Sequence, residues 1–196
     1  MIEMPPLPSV FVGGLIGATF GTVFVLVNAH TPLDAAVGTV LRVLAVLAVA
    51  AFVALVLLTG KRVRAHGGDN RSPQPVNMFG ARYRWVVLGE AVLLFGGIQV
   101  LRLFDAPDEA NVAWIALVVG VHFLVLARVW SRPAVLVPGA GLTALGIVGL
   151  VLASGPAVAW VPFVSGVLSG ITLLAGSLAF AVRDYRAVGA RGEARP

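Results

Sequence analysis

"VLAVLAVAAFVALVLLTGKRVR", Val43 to Arg64, opens with sixteen residues that carry neither a charge nor a hydrogen-bonding side chain, and ends with three cations in four positions. A helix at a water interface keeps a polar face, and this run has none. Extended back to Leu33, it reaches the roughly 20 residues needed to cross about 30 Å of hydrocarbon. Its basic end sits where such a helix meets water and phospholipid headgroups. The stretch reads as a membrane-spanning helix with a cationic stop.

The rest of the chain has the same character. Of 196 residues, 59% are hydrophobic and 12% charged, with a mean hydropathy of +0.96. Soluble domains carry about 25% charged residues, so lipid rather than water must be the main solvent. The formal charge of +5 lies in short segments between apolar runs, a pattern that orients a membrane protein and does not bind nucleic acid. There is no cysteine, which removes disulfides, thiolate nucleophiles and cysteine metal sites. With His30, His66 and His122 as the only histidines, no metal centre or other cofactor is expected. The start, "MIEMPPLP", lacks the basic region of a cleavable signal, so the first helix is expected to be retained.

Six segments are long and apolar enough to span: Ser9 to Val27, Leu33 to Leu58, Arg84 to Phe104, Asn111 to Trp130, Ala134 to Ala153 and Ala157 to Val182. Turn residues separate them, as in "NAHTP" and "SGP". The expected fold is all-α, a polytopic six-transmembrane-helix bundle forming a single domain over residues 1–196. Residues 61–83 are expected to be a basic connection and residues 184–196 a disordered basic tail. Twelve of the fourteen basic residues fall in, or within three residues of, the second and fourth interhelical segments and the tail. By the positive-inside rule both termini are then cytoplasmic, in a bacterial inner membrane. Arginine outnumbers lysine 13 to 1 amid abundant Ala, Gly and Val, which suits a GC-rich bacterial genome. Membrane lipids are the expected partners.

Packing signals are dense. The first helix carries Gly13, Gly17 and Gly21, and the last carries Ser165, Ser169, Gly166 and Gly170. Small residues so spaced let backbones approach closely where lipid removes the usual drive between helices. They serve packing within the chain or a homodimer seam.

Few polar residues remain inside the spans. Glu90 lies six residues beyond Arg84 and His122 six before Arg128, on consecutive antiparallel helices, so both sit roughly 9 Å from the basic end. A carboxylate in apolar surroundings must be protonated or paired, and an imidazole at equal depth can supply a proton or a charge. Glu90 and His122 are therefore the candidate ligand or proton-relay site, the plainer reading being a clasp between helices. Arg42 lies well inside the second span, where it can snorkel toward Asp34 or Asn28 or meet Gln99 on the third helix. Arg42 and Gln99 are the supporting polar candidates. Asp105, Asp108 and Glu109 lack calcium-loop spacing and read as a hydrated turn. Trp85, Trp114, Trp130 and Trp160 fall near helix ends, as interfacial anchors do.

No nucleophile elbow, phosphate loop or His-Glu-x-x-His occurs, so no enzyme signature is present and no catalytic residue is assigned. Neither Glu90 nor Arg42 has a counterpart in the second half, which argues against an inverted-repeat transporter. The segments "YRWVVLGEAVLLFGG" and "WIALVVGVHFLVLARVWSRP" resemble a family of small uncharacterised bacterial six-helix integral membrane proteins. Its pattern is a glutamate in one helix and Gly-x-His-Phe then Leu-Ala-Arg/Lys in the next. Glu90, Gly120, His122, Phe123, Leu126, Ala127 and Arg128 match it, while Val125 stands where a proline is expected. The resemblance covers about a quarter of the chain and implies the topology, with no activity to carry over. Two functions stay open: an accessory or structural membrane protein, with or without a lipid or small ligand in the bundle, and a proton-coupled transporter or channel using Glu90 and His122.

Overall fold

In a computed structural model, which describes residues 9–65 and 81–193, the chain forms six helices and, among the described residues, no strand. They are α1 (Ser9–Asn28), α2 (Ala35–Ala65), α3 (Ala81–Leu103), α4 (Glu109–Val129), α5 (Leu136–Ala153) and α6 (Leu168–Glu193). Five helical spans are long and apolar enough to cross a membrane, and α1 contributes a shorter apolar stretch, Val12–Asn28. Large apolar side chains cover the outside, with Val137 74% and Phe95 71% exposed. A water-soluble monomer does not present such a continuous apolar surface. The protein is an all-α helical membrane bundle.

Two helices run further than the apolar pattern indicates. α2 continues through Lys61, Arg62 and Arg64 to Ala65, and α6 continues to Glu193. Residues 184–193, expected to be disordered, are therefore helical, and the expected connection 61–83 is helical at both ends. Residues 66–80 and 194–196 lie outside the described set. The extension has a tertiary cause: the Arg62 guanidinium stacks 3.9 Å from the Tyr185 ring, tying α2 to α6 beyond the apolar spans.

The helices sort into two groups. α1, α2 and α6 pack mutually, and α4 and α5 form the most extensive pair, with α3 leaning on α4. In α2 the buried residues are Gly38, Ala45, Phe52 and Thr59, one every seven. That spacing is the seam of a gently supercoiled pair, flanked by the partly buried Leu41, Ala48, Val49, Leu55 and Val56, while Val43, Leu44, Val46 and Leu47 face outward. Two glycines of α1 meet α6: a side chain at Gly17 would strike Ser177, and one at Gly21 would strike the Gly170 carbonyl. These small residues are used within the chain.

The entry to α6 joins the groups. Pro162 has no N–H to give, and the turn Pro162–Val167 widens to a π-helix closed by Leu168 N donating to the Phe163 carbonyl. From this wide turn Ser165, fully buried, donates to the Leu145 carbonyl of α5 at 2.9 Å. Gly166 makes room for Asn28 at the end of α1, whose side chain donates back to the Phe24 carbonyl. One turn of helix thus touches α1, α4 and α5.

Candidate functional site

α3 and α4 are antiparallel, so stepping one turn along α3 moves the facing position one turn back along α4. The facing pairs follow that rule. Near the chain-termini end of the bundle, the Tyr83 and Trp130 rings stack with centroids 6.1 Å apart and planes 17° apart. Seven residues on, Glu90 faces His122, with Oε2 3.1 Å from Nδ1. Seven further, Gly97 faces Trp114, whose indole N–H donates to the Leu93 carbonyl at 3.0 Å. Residues two helical turns apart lie on one face of a helix, so Tyr83, Glu90 and Gly97 form a single stripe against α4.

The depth match between Glu90 and His122 is thus accompanied by the right rotation. The side chains are 20% and 11% exposed, set in an otherwise apolar seam. The His122 ring also meets Phe123 edge-on, with centroids 5.9 Å apart. The approach of Nδ1 to Oε2 is within ion-pair reach, yet it is not aligned as a hydrogen bond, and Nδ1 has no other partner among the described residues. A proton passing from Oε2 to Nδ1 converts a neutral pair to an ion pair with no change of net charge. Such a pair can hold one proton at little cost in net buried charge. Relaying it requires a polar path.

A groove of about 320 Å³ opens along the seam toward the α3–α4 turn, lined by Val92, Leu93, Gly96, Gly97, Val100 and Trp114 among others. Its walls are apolar, and neither Glu90 nor His122 lines it.

Arg42 and Gln99 are not brought together. α3 follows α4 and makes no substantial contact with α2, which leaves Gln99 exposed, with no hydrogen bond to Arg42. Nor does Arg42 reach the side chain of Asp34 or Asn28. Its Nε donates to the backbone carbonyl of Leu26 at 3.2 Å. Asp34 instead caps its own helix, accepting from Ala36 N at 2.8 Å. Of the four tryptophans, Trp114 and Trp130 take part in the α3–α4 seam. No group of three or more His, Cys, Asp or Glu able to hold a metal occurs among the described residues, and Asp105, Asp108 and Glu109 form the α3–α4 turn and the start of α4.

Two of the three ties, Tyr83 with Trp130 and Trp114 with Leu93 and Gly97, did not emerge from the sequence reading. The signal was available in the seven-residue steps 83, 90 and 97 on α3 against the eight-residue steps 130, 122 and 114 on α4. The chain matches no protein family, no curated protein and no solved structure in the comparisons made.

Proposed function

We propose that this is an accessory protein of the bacterial cytoplasmic membrane, with both termini in the cytoplasm, in which Glu90 and His122 clasp α3 to α4. The observation that carries this reading is the place of the pair in the seam. It is the middle one of three ties at equal spacing along one helix pair, flanked by an aromatic stack and an indole–carbonyl bond. Glu90 answers a packing need: α3 has one main neighbour, and a polar contact inside hydrocarbon holds a peripheral helix in register.

A second reading, a proton-coupled transporter or channel, draws on the unaligned Nδ1 and the partial exposure of Glu90, which leave the pair free to rearrange. Infrared difference titration in lipid separates the two, comparing the parent with Glu90→Gln and His122→Ala. A clasp gives a Glu90 carboxyl signal that does not change between about pH 5 and pH 8, the range in which histidine relays operate. A carboxyl band that titrates within that range, and moves when His122 is replaced, would overturn the clasp in favour of proton handling.

A further inference from the structure

α1 ends at Asn28, and a helix end leaves its last carbonyls without intrahelical donors. Here Ala29 N serves the Val25 carbonyl, His30 N serves the Asn28 carbonyl, and Arg42 of α2 serves Leu26. A cation at a helix C-terminus also meets the negative end of the dipole. The use of Nε for this bond has a consequence for the rest of the guanidinium. Arginine has five N–H donors, and four of them, on the two Nη atoms, have no partner among the described residues. No carboxylate lies within ion-pair distance of Arg42 there either.

An uncompensated cation within a membrane span is costly unless something answers its charge. Arg42 lies seven residues into α2, roughly 10 Å from the helix start, and its side chain leans to the last turn of α1. That is the snorkelling geometry, which brings the charge toward the headgroup level. From Arg42 an open groove of about 240 Å³ is lined by Leu26, Val43, Val46 and Leu47, with almost no polar surface. The order matters. Val43, Val46 and Leu47 lie progressively deeper in the span than Arg42, so the charge is at the head of the groove and the apolar walls run inward. A bilayer supplies an anion of matching shape, with phosphate at the headgroup level and a hydrocarbon tail below it.

We propose that Arg42 and this groove form a phospholipid site, in which the Nη groups hold the headgroup phosphodiester and one acyl chain lies along Val43, Val46 and Leu47. Guanidinium suits the role because its planar fork matches two phosphate oxygens at once. The site involves α1 and α2 and does not depend on Glu90 or His122.

Native mass spectrometry of detergent-purified protein tests this, with phosphatidylglycerol of defined chain length as the probe. One lipid should stay bound to the parent, with diacylglycerol not retained and glycerol phosphate failing to displace it. Arg42→Gln should lower retention about fivefold, the factor one interfacial cation contributes toward anionic lipid. Val46→Trp fills the groove from a lipid-facing position, keeps the Arg42–Leu26 bond, and should lower retention by a similar factor. That variant decides the matter if loss of the α1 cap unfolds Arg42→Gln. Equal retention by parent and Val46→Trp, equal retention by parent and a folded Arg42→Gln, retention of diacylglycerol, or displacement by glycerol phosphate would each overturn the site.

Discussion

Adjacent glycines on α3 should respond in opposite directions to the same substitution. A Cβ at Gly97 would overlap the Trp114 indole, so Gly97→Ala must push the ring away and strain its bond to the Leu93 carbonyl. A Cβ at Gly96 would meet nothing within 4 Å. Both substitutions gain helix propensity, up to about 1 kcal/mol, and that gain cancels in the comparison. What remains for Gly97 is overpacking, about 1–3 kcal/mol, and a weakened interhelical hydrogen bond worth about 0.6 kcal/mol inside a membrane. Gly97→Ala should therefore be roughly 2–4 kcal/mol less stable than Gly96→Ala. The assay is reversible unfolding in mixed micelles, followed by circular dichroism because Trp114 fluorescence will itself change. The Glu90 infrared signal should also shift in Gly97→Ala, since the indole sits two turns along the same seam. Stabilities equal within about 0.5 kcal/mol, the scatter of neutral surface changes, would refute the close packing of α3 on α4 through Gly97.

The same logic extends to the other group of helices. Gly21→Ala brings a methyl within 2.7 Å of the Gly170 carbonyl, a backbone atom that cannot swing aside, whereas Gly13→Ala meets open space. Since the helix-propensity gain is common to both, Gly21→Ala should be about 1–3 kcal/mol less stable than Gly13→Ala, read from their unfolding midpoints in the same micelles. Ser165→Ala removes the 2.9 Å bond to the Leu145 carbonyl and should cost about 0.6 kcal/mol, at most about 1.7. A loss well beyond that range would mean that the π-turn itself depends on this hydroxyl.

The amino-acid sequence by itself determined the kind of molecule this is. Apolar runs such as Val43–Leu58 have one physical outlet, a lipid-facing helix, and their number and spacing set the alternation of ends. It also determined depth, because rise per residue is constant, and so Glu90 and His122 could be matched before their contact at 3.1 Å was seen. Rotation about the helix axis was not determined, since lipid-facing and protein-facing positions here are both apolar and leave no amphipathic stripe to read. Tertiary structure alone decided that Gln99 faces outward, and that α3 leans on α4 and not on α2. It likewise decided that Arg42 serves the Leu26 carbonyl, an acceptor that every residue possesses and no side-chain pattern can single out. The lengths of α2 and α6 belong with these: polar helical turns beyond the apolar span hold when they pack on each other, and the stacking of Arg62 on Tyr185 is a contact between residues more than a hundred positions apart.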